Sequence, residues 1–95
     1  RHTVKKIVVV PNGTLSLQSH DHRDEHWIIV DGTAQVTVGD EIFTARANTP
    51  VFIPAKTKHR IRNSGDVPMT FIEVQTGDDL DENDIVRYED VYGRV

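Results

Sequence analysis

Apolar and polar residues alternate through most of this chain, and turn-forming residues interrupt the alternation about every ten positions. Side chains two apart share one face of a strand, so the pattern specifies short, half-buried β-strands. Residues 4–10 are rich in β-branched side chains and end at Pro11-Asn12-Gly13. Residues 14–22 alternate, with Leu15 and Leu17 on one face and Gln18, His20 and His22 on the other. Residues 25–30 and 33–38 flank Asp31-Gly32, the two-residue signal of a hairpin turn. Further strands are expected at 42–43, 51–53, 58–62 and 69–75, separated by Gly39-Asp40, Asn48-Thr49-Pro50 and Asn63-Ser64-Gly65-Asp66. About eight strands at this spacing predict an all-β sandwich or barrel. No stretch before residue 78 sustains a helical period. Residues 78–90 are acidic, with Leu80, Ile85, Val86 and Tyr88 interspersed, and their spacing leaves a short helix and an extended arm both open.

A chain of 95 residues is expected to form one domain, residues 1–95, with a thin core. Such a core gains from a bound metal or a second copy. The chain has no cysteine, which excludes a disulfide staple and a thiolate metal site. No apolar run approaches the roughly 18 residues of a membrane span. No secretory signal is visible, so a cytoplasmic location is expected. The net charge of −4 is unevenly spread. Residues 1–62 hold nine Lys and Arg against six Asp and Glu, while residues 63–95 hold two against nine. That division argues against the uniform basic footprint of a nucleic-acid binder.

Three of the five histidines lie between positions 20 and 26. On a strand, Gln18, His20 and His22 would project from one face. Imidazole is the commonest biological metal ligand, so this face, joined by Glu25 and by His59 from a distant strand, could close around a divalent cation. The competing reading makes them surface histidines, because Asp21, Arg23 and Asp24 are interleaved with them.

A longer pattern bears on that choice. Gly13, His20-Asp21-His22, Glu25 and Gly32 resemble the first cupin motif, with the His pair one residue later than usual. Pro54, His59 and Asn63 match the second motif, whereas Asn48 and Lys56 stand where that motif has glycines. The resemblance implies a cupin double-stranded β-helix, a jelly-roll barrel, with a short C-terminal arm. One branch is closer still. Leu15-Ser-Leu-Gln-Ser-His-Asp-His-Arg-Asp-Glu-His-Trp27, the stretch from Pro54 to Arg60, Ile72-Glu-Val-Gln-Thr-Gly77 and the tail from Asp84 to Arg94 resemble type II mannose-6-phosphate isomerase. That cupin occurs free-standing or at the C-terminus of bifunctional mannose-1-phosphate guanylyltransferase enzymes. Asp21 replaces a third histidine that the family often carries, and the family's upstream Pro-Trp-Gly segment is absent, which implies an N-terminally truncated or reduced form.

This resemblance implies metal ligation by His20, His22, Glu25 and His59, with Gln18 and His26 as rival ligands. It implies catalytic roles for Arg23, Glu25 and His26, and substrate contacts from Gln18, Arg23, Lys58 and Arg60, the cations taking a phosphate. Strand alternation points only one of Glu25 and His26 inward, and would aim Lys58 and Arg60 away from the face of His59. Glu73 is a further candidate base. Trp27 would serve as barrel core or as a platform for a sugar ring. The implied reaction interconverts mannose 6-phosphate and fructose 6-phosphate through an enediol. The cofactor would be one divalent ion per chain; zinc suits the imidazole-rich set, and manganese, iron, cobalt and nickel are compatible. The implied partners are a sugar phosphate, a second copy in a homodimer, and a fused or associated guanylyltransferase domain, with no nucleic acid and no membrane. A non-catalytic sugar-binding cupin and a metal-dependent oxygenase are the rival classes.

Overall fold

The computed structural model describes residues 1–89, which form nine strands and no helix. They are β1 (His2–Val9), β2 (Leu17–Ser19), β3 (Arg23–Asp31), β4 (Thr33–Val38), β5 (Glu41–Arg46), β6 (Pro50–Ile53), β7 (His59–Asn63), β8 (Met69–Gly77) and β9 (Val86–Glu89). Two antiparallel sheets result, one in the order β1-β8-β3-β6 and the other in the order β5-β4-β7-β2-β9. Gly32 closes the β3–β4 hairpin with a φ of 87°, as its Asp-Gly signal predicts.

The expected strand over 14–22 is divided. Thr14 makes an isolated bridge to Arg62, and β2 spans only Leu17–Ser19. Between Ser19 and Arg23 the chain leaves one sheet and enters the other. The backbone there bonds to loops instead of to a strand: the His20 carbonyl accepts the Lys56 N–H at 2.6 Å. The acidic segment proves to be an extended arm, with β9 adding to the sheet beside β2. Residues 90–94, the end of the tail motif, lie outside the described residues.

The interior between the sheets is divided along its length. Inward residues of β3 run from Arg23 and Glu25 to Trp27 and Ile29. In antiparallel register on β8 they run from Gln75 and Glu73 to Phe71 and Met69. One end is therefore polar and the other apolar. The apolar end holds Ile29, Ala34, Val36, Ile61, Met69 and Phe71, all fully buried. The larger of these, Ile29, Val36, Ile61, Met69 and Phe71, contribute about 1.5–3 kcal/mol each on burial. Asn63, the last residue of the second motif, is a structural tie: its amide donates to the carbonyls of Val9 at 2.9 Å and Val67 at 2.7 Å.

The two non-glycine residues of that motif are explained by backbone geometry. Asn48 and Lys56 both have left-handed φ values, 71° and 67°. The chain thus keeps turns that glycine would make without strain. A left-handed conformation costs a side-chain-bearing residue about 1–2 kcal/mol, and glycine returns part of that through its more flexible unfolded state. Lys56→Gly is therefore expected to raise stability by about 0.5–1 kcal/mol, measured by urea unfolding.

Candidate metal centre

The polar end of the barrel brings together three potential ligands from three elements. His20 follows β2, Glu25 lies on β3 and His59 opens β7. Each is at most 3 % exposed, and one donor atom from each lies within 4.8 Å of the others. Their orientation is set by the groups behind them. His20 Nδ1 lies 2.6 Å from the Asp84 carbonyl, and His59 Nδ1 lies 3.0 Å from the Thr57 carbonyl. A carbonyl only accepts, so each Nδ1 carries the hydrogen and each Nε2 turns its lone pair inward. Carbonyl partners of this kind fix the tautomer and orientation of metal-binding histidines.

Those Nε2 atoms face the Glu25 carboxylate, His20 at 3.2 Å from Oε2 and His59 at 3.9 Å from Oε1. Acceptors turned on one another in a buried space favour positive charge between them. The nitrogen and oxygen donors suit a divalent transition metal, so the residues present fit such an ion. Arg23 supplies part of the positive charge: Nε donates to Glu25 Oε2 at 3.0 Å, and Nη2 donates to His20 Nε2 at 3.1 Å. Trp27 Nε1 donates to Glu25 Oε1 at 3.0 Å. Burial pushes the His59 imidazole below the ordinary histidine range; Thr57 and Glu25 pull it upward, and His20 and Arg23 reinforce the lowering.

His22 does not join this group. The strand that would have carried it inward ends at Ser19, and His22 sits exposed in the crossing between sheets, with its N–H on Asp84 Oδ2 at 2.9 Å. Glu25 takes the inward position next to His26, which is exposed and stacks on Phe52 at 4.9 Å. Gln18 is half-buried beside the cluster, its Nε2 3.3 Å from the Ser16 carbonyl. Trp27 is core, with its ring 5.1 Å from that of Phe71. Lys58 is exposed and rests over the Tyr88 ring at 4.3 Å. Arg60 is half-buried on the cavity wall.

Sequence reasoning missed the part played by Asp84. Its carbonyl holds His20, and its two carboxylate oxygens accept the N–H groups of Asp21 and His22, each at 2.9 Å. Partial burial works against its charge, but those two N–H groups and the His22 and His20 rings outweigh it, so its carboxyl is held below the ordinary range. Nearby, Tyr88 and Ser19 hydroxyls meet at 2.9 Å. The arm is thus part of the site. The only signal available was its distinctive sequence, which says nothing of its contacts.

The cluster lines a cavity of about 40 Å³, room for an ion and a few atoms beside it. A surface groove of about 330 Å³ lies on the other side of Arg23, but Asp21, Asp24 and Asp78 border it and disfavour a phosphate.

A two-sheet barrel with a buried His-Glu-His group at one end is a cupin double-stranded β-helix. The fold matches an uncharacterised conserved protein with a double-stranded β-helix domain from Klebsiella pneumoniae, with a TM-score of 0.81 and 19 % identity over 93 % of this chain and 75 % of that one. Residues 1–90 match the family described as mannose-6-phosphate isomerase C-terminal, and the chain belongs to that family. It is 54 % identical over its whole length to the xanthan biosynthesis protein XanB of Xanthomonas campestris, and 46 % identical to the mannose-1-phosphate guanylyltransferase ManC of Salmonella typhimurium. It spans 20 % of the length of each of these relatives.

Removing the Asp84 carboxylate frees two backbone N–H groups and loosens the support of His20. Asp84→Ala is expected to cost about 1–2 kcal/mol and to speed amide exchange at Asp21 and His22, read by hydrogen-exchange NMR.

Proposed function

We propose that this chain is a metal-dependent aldose–ketose isomerase acting on mannose 6-phosphate and fructose 6-phosphate. One observation carries the reading: the inward Nε2 atoms of His20 and His59 and the carboxylate of Glu25 converge in a chain of the mannose-6-phosphate isomerase C-terminal family. A divalent cation held by these residues would supply a Lewis acid for the sugar carbonyl oxygen. Arg23 must release His20 Nε2 for that ligation, which leaves a guanidinium at the cluster to stabilise negative charge developing on the substrate. The cavity is too small for a whole sugar phosphate, so the phosphate would stay outside it. Arg60, which lines the cavity, would be a cation within reach of that phosphate. Trp27 and the apolar end behind it keep water from the reacting carbons. The name of the Salmonella relative supports a guanylyltransferase domain fused to this cupin or associated with it.

The test is an isomerase assay on protein reconstituted separately with zinc, manganese, iron, cobalt and nickel. At least one ion is expected to give turnover, and His59→Ala is expected to abolish metal uptake and turnover together. Undiminished turnover in metal-free buffer contradicts the mechanism. Stabilisation by mannose 6-phosphate without turnover would favour a non-catalytic binding role, and oxygen uptake by the iron-loaded protein an oxygenase.

A further inference from the structure

The cavity around the metal-type cluster has another acidic wall residue. Glu73 lies at the middle of β8, opposite Trp27 on β3, and is 7 % exposed. It lines the same small cavity as His20, Glu25 and His59. Gln75, two residues along the same face, donates from Nε2 to Glu73 Oε1. Packing does not explain a carboxylate here, since an amide of the same shape would fill the space at lower cost. A buried ionisable group that costs stability and faces a cavity is a mark of function.

The proposed isomerisation needs a group that takes a proton from one carbon and returns it to the next. The other candidates are committed or misplaced. Glu25 accepts from Arg23 and Trp27 and belongs to the ligand group. His26 points out of the barrel. His20 and His59 each have Nδ1 on a carbonyl and Nε2 aimed at Glu25. Among the described residues lining the cavity, Glu73 is the carboxylate that lies outside the ligand group.

We propose that Glu73 is the general acid–base of the isomerisation, an inference that rests on the isomerase reading. Its carboxylate takes the C2 proton of the open-chain aldose phosphate. The C–H electron pair becomes the C1–C2 double bond, and the carbonyl pair moves onto O1. The O2 proton passes to O1, the C2–O2 double bond forms, and Glu73 returns its proton to C1. The result is one hydrogen moved between adjacent carbons and one between their oxygens, with no external oxidant or reductant.

The environment suits that role. Burial pushes the Glu73 carboxyl above the ordinary carboxylate range, and the charge of Glu25 adds to the rise; Gln75, Arg23 and Lys5 act against it. The groups around it are Lys5 across the pair on β1, Arg23 and Glu25 on β3, and His20, His59 and Arg60 on the cavity wall. A raised folded-state pKa means that ionisation costs the fold stability as pH rises from the ordinary carboxylate range through the raised value.

Glu73→Gln tests this by two readouts in the metal-loaded chain. Incorporation of solvent deuterium into the sugar phosphate is expected to fall about 10²–10⁴-fold, while zinc uptake stays at the parent level. If the parent exchanges deuterium and the variant keeps its rate within a few-fold, Glu73 is not the acid–base and the isomerase reading stands. If the metal-loaded parent binds mannose 6-phosphate and catalyses neither exchange nor turnover, the isomerase reading fails and this inference fails with it.

Discussion

Glu25 is a carboxylate sealed inside a small β-barrel, and much of the polar end exists to compensate it. Its two oxygens accept from Arg23 and Trp27 and face the rings of His20 and His59. Left without those partners, a buried charge would cost several kcal/mol, a large fraction of the stability of any domain this size. The partners come from three separate stretches of chain, so satisfying one side chain fixes how β3 meets β7 and the crossing after β2. Arg23 and Trp27 lie on the same inward face of β3 as Glu25, so their support follows directly from strand alternation.

The same requirement explains features far from the cluster. His20 needs an acceptor behind its ring, and the arm provides it through the carbonyl of Asp84. The carboxylate of Asp84 then secures the crossing in which His20 sits. Lys56 takes up a left-handed turn whose N–H bonds to the His20 carbonyl. Local strain at Lys56 is thus exchanged for a fixed position of His20, a common arrangement at functional sites. The apolar end, from Ile29 to Phe71, supplies the burial that carries these costs.

Strands were readable in the sequence because alternation and turn chemistry agree, as at Asp31-Gly32 and along Thr33–Val38. Alternation allowed only one of Glu25 and His26 inward, and the spacing of the cupin motifs singled out Glu25 and His59, each of which lies in or at the start of a strand with an inward face. His22 was misplaced because its alternation continues in sequence beyond the point where pairing stops, and pairing depends on Lys56 and Asp84. The arm was ambiguous for a similar reason. Nothing in residues 78–89 declares that β9 pairs with β2, because that pairing is settled by contacts with Ser19 and the crossing. Asn48 and Lys56 departed from the glycine pattern while keeping its backbone, a distinction that residue identity alone does not reveal.

The central claim is that His20, Glu25 and His59 hold a divalent cation and that the other histidines stay outside it. Zinc titration of the chain with nitrogen-15-labelled histidine rings tests this most directly, because each imidazole nitrogen reports its own ligation. The account predicts large, stoichiometric shifts at Nε2 of His20 and His59, with the rings of His2, His22 and His26 unchanged. A shift at His22 while His59 stays unmoved, or no saturable shift at His20 and His59, would contradict it.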